Sequence, residues 1–174
     1  MSFDVEQFEI TPVGDGERPQ AIYLPPGAGR SVWAFSGDKY TVKAGVASTG
    51  GALGLMEAEI PPLSGPPMHS HDNEDEAFYI LGGRIEVVAD DRAVVAEPGS
   101  FIYIPRGAPH RFKNVGDDAA RMLLLFLPSG FEEFFLEVGT PVVEGQQAPT
   151  ADTFEARVGE AMAIAESKYG IVSH

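Results

Sequence analysis

Short apolar runs broken by turn residues fill the middle of the chain. Between Ser31 and Leu127 this pattern predicts strands over 31–35, 39–46, 52–60, 76–81, 84–89, 92–95, 100–104, 110–115 and 120–127. Segment 52–60 shows the period of two clearly: Gly54, Met56, Ala58 and Ile60 share one face, and Leu55, Glu57 and Glu59 the other. The run Met122 to Leu127 is apolar throughout and reads as a buried strand whose parity is open. Many short strands with frequent turns predict a sandwich or barrel of antiparallel pairs.

The flanks differ from this centre. Residues 1–30 read as an irregular N-terminal arm, with turn chemistry at Val13-Gly14-Asp15-Gly16 and Leu24-Pro25-Pro26-Gly27. The barrel is expected over 31–128 and a C-terminal segment over 129–174, all within one domain. In that segment Gly130 to Phe135 predicts one helical turn, and Thr140 to Thr150 a connector. A helix is expected at about 152–169, where Phe154, Val158, Ala161, Met162, Ala165 and Tyr169 recur at helical spacing. Gly170 follows as its C′ residue.

Composition narrows the function classes. The chain has 174 residues, 20 Gly, 14 Pro and no Cys, so disulfides, thiolate metal sites and a cysteine nucleophile are excluded together. The longest apolar run has six residues, far below the ~18 of a membrane span. With no signal-like N-terminal stretch, the cytoplasm is the expected location. A net charge of −14 argues against nucleic-acid and membrane partners, because such a surface repels phosphates and anionic headgroups.

Candidate chemistry lies in the histidines. There are four, of which His174 is terminal and expected to be disordered. His69 and His71 stand in Pro66-Pro67-Met68-His69-Ser70-His71-Asp72-Asn73-Glu74-Asp75-Glu76. On an extended strand both imidazoles face one side. Glu76 opens the next apolar stretch and reaches the same cavity once the chain reverses, with the two strands one spacing of ~4.8 Å apart. His110 begins the strand that returns from the turn Pro105-Arg106-Gly107. Imidazoles plus a carboxylate suit one divalent transition metal ion: Fe, Mn, Ni, Co, Cu or Zn.

These segments resemble the two motifs of the cupin family. His69, His71, Glu76 and Gly83 fit the first motif, H-x-H followed after four residues by Glu and then after six by Gly. Gly99, Pro105, Gly107, His110 and Asn114 fit the second, G-x5-P-x-G-x2-H-x3-N. The glycine that leads the first motif is Leu63 here, with Gly65 displaced by two. The resemblance implies an all-β cupin, a double-stranded β-helix or jelly-roll barrel with a C-terminal α-helix, and His69, His71, Glu76 and His110 as metal ligands. The remaining sequence resembles single-domain cupins of the quercetin 2,3-dioxygenase-like kind. It does so through Trp33-Ala34-Phe35-Ser36-Gly37, Thr49-Gly50-Gly51-Ala52, the Gly130 to Phe135 segment and Lys168-Tyr169-Gly170.

That resemblance implies a dioxygenase acting with O2 on a phenolic or enolic aromatic, flavonol- or polyketide-like, with Glu76 as fourth ligand or general base. Its alternatives are a non-redox isomerase, cyclase or decarboxylase, and a small-ligand-binding cupin. Strand parity aims Phe78 with Glu76, and Phe112 with His110, into an apolar pocket. Met56, Leu124 and Phe126 are assigned to the opposite sheet, and Phe131, Phe134 and Phe135 to the mouth. Asn114 is read as fixing its turn, and Arg106 and Arg111 as facing solvent. A homodimer is expected, because an open barrel leaves unpaired edge strands.

Overall fold

The structure is a computed structural model that describes residues 11–13, 21–34, 37–149 and 151–174, the side chains of 11–13 and 151–155 excepted. The turn expected at Gly14-Asp15-Gly16, the Phe35-Ser36 pair and the Phe154 side chain lie outside the described residues.

The chain runs β1 (Thr11–Val13), β2 (Ala21–Tyr23), β3 (Arg30–Ala34), β4 (Asp38–Ala44), α1 (Val46–Thr49), β5 (Gly54–Ile60), β6 (His69–His71) and β7 (Asp75–Gly82). It continues through β8 (Ile85–Ala89), β9 (Arg92–Ala96), β10 (Phe101–Ile104), β11 (His110–Asn114), β12 (Ala120–Leu127) and α2 (Glu132–Val138). It closes with β13 (Thr140–Pro141), α3 (Ala151–Tyr169) and β14 (Ile171–Ser173). Two antiparallel sheets carry the fold: a larger one ordered β10-β7-β12-β5-β4-β3-β13 and a smaller one ordered β14-β6-β11-β8-β9. This is a jelly-roll-like pair of sheets rather than a closed barrel. The short β1–β2 hairpin stands apart from both, within the arm that the sequence marks as irregular.

Alternation decides which side chains meet between the sheets. On β5, Gly54, Met56, Ala58 and Ile60 are buried, and Leu55, Glu57 and Glu59 turn outward. The open parity of the β12 run resolves with Met122, Leu124 and Phe126 inward. Met56, Leu124 and Phe126 therefore belong to the same sheet as Glu76 and Phe78, pairing Met56↔Leu124↔Phe78 and Phe126↔Glu76, not to the opposite one. From the smaller sheet Ile85, Val87 and Phe112 complete the core. Phe78 and Phe112 meet edge to face across it, with ring centroids 5.5 Å apart.

Several elements depart from the sequence reading. The strand expected to reach residue 46 ends at Ala44, and Val46–Thr49 forms a helical turn. The turn expected after Gly130 extends through Val138. Buried Glu132 anchors both: its carboxylate accepts the Val46 N–H at 2.9 Å and the Gly130 N–H at 2.7 Å. That makes it a cross-chain cap, which local patterning does not show. His174 is not loose either. Its backbone N–H reaches the Met68 carbonyl at 3.2 Å and its Nε2 lies 3.0 Å from Ser70 Oγ.

The approach to β6 explains the motif departure. Leu63 sits at φ 66°, the left-handed region that costs an L-residue roughly 1–2 kcal/mol, so glycine is the unstrained choice there. Gly65, at φ 156°, lies so close to the Phe112 carbonyl that a side chain would collide with it. Asn114 is fully buried; its Nδ2 donates to the Ile60 and Asp118 carbonyls, and its Oδ1 accepts the Gly116 N–H. It fixes the turn, as its sequence position suggests. Arg106 is exposed and pairs with Asp75, while Arg111 is partly covered and pairs with Glu86.

Candidate metal centre

Two strands of the smaller sheet and one of the larger bring the four residues together. His69 and His71 lie on β6, His110 directly opposite His69 on β11, and Glu76 on β7. β6 and β7 are in different sheets, so Glu76 meets the histidines across the gap between layers and not from a neighbouring strand. One ligand atom from each residue can be chosen so that all four lie within 4.8 Å of one another. His71, Glu76 and His110 are buried, and His69 is nearly so.

Hydrogen bonds on the far side of each ring orient it. His69 Nδ1 lies 2.9 Å from the Pro67 carbonyl, and His110 Nδ1 lies 3.0 Å from the Ala108 carbonyl. A carbonyl only accepts, so each Nδ1 carries the proton and each Nε2 offers a lone pair. His71 Nδ1 meets the buried Glu74 carboxylate at 2.5 Å. The Nε2 atoms of His69 and His71 are 3.2 Å apart, and Glu76 Oε2 lies 2.8 Å from His110 Nε2 and 3.4 Å from His71 Nε2.

Two lone pairs aimed at each other across 3.2 Å repel unless a proton or a cation lies between them. The titration of the cluster reflects this. Burial pushes His69 down to about 4. Burial also opposes charge on His71, but hydrogen bonds to Glu74 and Glu76 outweigh it and carry His71 up to about 9. Burial works against the Glu76 carboxylate too, yet His110 and His71 hold it below the usual carboxylate range. The Glu76 carboxylate thus stays charged beside a protonated His71, while His69 stays neutral. Three imidazole nitrogens and a carboxylate form a donor set that fits one divalent transition ion.

A cavity of about 220 Å³ opens beside the cluster. Of the five pocket residues read from sequence, Phe112 and Phe131 line it. Met56, Phe78 and Phe126 do not; they are fully buried and fill the space between sheets. Their inward parity is right, but facing inward does not separate a cavity wall from packed core. The wall also includes Tyr40, Pro66, Pro67, Met162, Ala165 and Ile171, which the sequence reading did not place there. Phe134 and Phe135 join Phe131 on it. Parity along β4 is the signal that brings in Tyr40, since it shares a face with buried Asp38. No local signal singles out Glu74 from the acidic run 72–76.

Comparison with known proteins agrees with this architecture. Residues 56–126 match the family described as the cupin domain. Together with the two-sheet arrangement, that match shows a cupin fold. It is 27% identical over 134 residues to quercetin 2,3-dioxygenase of Bacillus subtilis, an alignment covering 76% of this chain and 38% of that protein. It is 35% identical over 83 residues to the polyketide synthase protein CurC of Streptomyces cyaneus, covering 48% of this chain and 53% of that one. The chain thus spans less than two thirds of either relative. Among solved structures, an RmlC-like cupin from Shewanella frigidimarina superposes with a TM-score of 0.56 at 14% identity, over 64% of this chain and 94% of that one.

Proposed function

We propose that this cupin-fold chain is a metal-dependent dioxygenase for a phenolic or enolic aromatic substrate, with His69, His71, Glu76 and His110 as the metal ligands. The observation that carries this reading is the convergence of three oriented imidazoles and Glu76 beside a largely apolar cavity, whose wall His69 and Glu76 share. The likeness to quercetin 2,3-dioxygenase supports the oxygenase class. A divalent ion held there supplies a Lewis-acidic centre for a substrate oxygen and, when redox-active, a route to O2. Phe112, Phe131, Phe134 and Phe135 enclose an aromatic ring and exclude water. Glu76 lies on the same wall and takes the substrate hydroxyl proton on its carboxylate. While paired with His71 and His110 it is a weak base, so proton transfer goes with release from those partners.

A volume of about 220 Å³ lies below the roughly 300–1,000 Å³ usual for drug-sized ligands. A single-ring enol or phenol matches it as it stands, and a flavonol requires the α3 side to open.

Glu76→Gln tests the proton transfer. The variant is expected to retain metal and lose turnover by about 10²–10⁴-fold, the usual contribution of a positioned base. Retained metal with full turnover would remove the base role. A second reading, Lewis-acid chemistry without O2, is favoured by the likeness to the polyketide synthase protein. Oxygen-electrode traces during turnover separate the two.

A further inference from the structure

Among the described residues, the cavity wall carries three polar side chains: Tyr40, His69 and Glu76. His69 and Glu76 belong to the cluster already described. Tyr40 is left over, the one side-chain hydroxyl on a wall made otherwise of proline, glycine, aromatic and aliphatic groups. It stands on β4, three strands from the β7 strand of Glu76, which separates the backbones by roughly 14 Å. Both side chains line the one cavity, so a substrate held there can offer one oxygen to Glu76 and a second group to Tyr40.

The hydroxyl is held from behind. Tyr40 donates to Asp38 Oδ2 at 3.3 Å, and the other carboxylate oxygen of Asp38 accepts from Ser64 Oγ. Asp38 is buried, and no cation pairs with it among the described ion pairs. The Tyr40 ring is fixed in turn against Phe135, with centroids 4.3 Å apart. A buried carboxylate is costly unless it is hydrogen-bonded, so keeping one behind a cavity tyrosine asks for a reason. With its proton directed to Asp38, the Tyr40 oxygen keeps lone pairs that can accept from a donor.

We propose that Tyr40, oriented by Asp38 and Ser64, is a specificity-determining residue that accepts a hydrogen bond from a second hydroxyl of the substrate, remote from its metal-binding oxygens. The inference rests on the function proposed above and deepens it: the substrate class becomes a chelating enol or phenol that bears a further hydroxyl on its far side. Sites built to hydrogen-bond a hydroxyl discriminate strongly against analogues without it, because the buried partner is then left unpaired.

The test measures anaerobic binding by calorimetry to the zinc-loaded full chain, with two matched pairs. Kojic acid and allomaltol are small chelators that differ in one side-chain hydroxyl; quercetin and 3-hydroxyflavone are larger chelators that differ in ring hydroxyls. Wild type is expected to prefer the hydroxylated member of at least one pair by about tenfold, one hydrogen bond's worth. Tyr40→Phe is expected to abolish that preference and leave the affinity of the other member unchanged, with zinc content unaltered. Asp38→Asn keeps an acceptor behind Tyr40 and is expected to retain most of the preference, which guards against a folding defect in the first variant. A preference that persists in Tyr40→Phe, or equal losses for both members, overturns the proposal while the metal reading stands. If wild type binds neither pair, the proposed function fails and takes the Tyr40 assignment with it.

Discussion

Glu74 sits behind His71, on its Nδ1 side, and sets what that ring offers to the centre. Carboxylates behind ligand imidazoles raise their basicity and fix their orientation, and losing them typically costs 10–100-fold in metal affinity. Glu74→Gln is therefore expected to weaken zinc binding by that factor, read by competition with a chromophoric chelator; unchanged affinity would mean that the 2.5 Å contact does not orient the ring. Asp38 gives a second prediction at this scale. Burial raises its carboxyl from 3.8 to about 6, against hydrogen bonds from Ser64 and Tyr40 that pull it down. Between those pH values the folded chain binds more protons than the unfolded one, so this group lowers stability as pH rises and the loss is complete above about 6. Its size is about 3 kcal/mol at most. Urea midpoints at pH 4 to 7 should show wild type losing stability relative to Asp38→Asn over that window; parallel curves would contradict it. The three histidines and Glu76 were legible because their spacing is local and the four stand in two short segments. Glu74 was not, since it is hidden in an acidic run; parity along β4 turns Tyr40 inward with Asp38 but does not separate a cavity wall from packed core.

Strand existence followed from period-two patterning, and β5 shows the reason: each inward residue is apolar or glycine and each outward one except Leu55 is charged. Sheet membership did not follow, because it depends on pairing between distant segments. Glu76 was expected one strand from His71 and instead faces it from the other sheet. β14 was missed for the same reason. Three residues are too few to show a period, yet Ile171, Val172 and Ser173 pair with His71, Ser70 and His69. The C-terminal strand thus flanks the ligand-bearing strand, and Ile171 contributes to the cavity wall. Ile171→Ala is expected to destabilise the fold by about 2–3 kcal/mol and to weaken zinc binding, because β6 loses its packed neighbour. Thermal melts with and without zinc would check this; an altered melt with unchanged zinc affinity would separate β14 from the site.

At the scale of the whole molecule, charge and shape constrain association. No helix among the described residues is long and apolar enough to cross a membrane, and a charge of −14 sets copies of the chain against each other. A homodimer then needs a contact with little charge. The outer face of the larger sheet provides one near its β10 edge, where Phe101 and Tyr103 are 63% and 53% exposed and Tyr79, Leu81 and Leu127 are exposed beside them. Phe101 pairs with Tyr79 and Tyr79 with Leu123, an uncharged row across three strands. Copies meeting there bury aromatic surface while their acidic surfaces stay apart, so added salt strengthens the dimer by screening the residual repulsion. Sedimentation at micromolar concentration is expected to give twice the chain mass, with a larger dimer fraction at 0.5 M than at 0.05 M NaCl. Phe101→Glu is expected to shift the chain to monomer, since it places a charge at the exposed edge of the row. A wild-type monomer, or a dimer indifferent to Phe101→Glu, would show that this face is not where two copies meet.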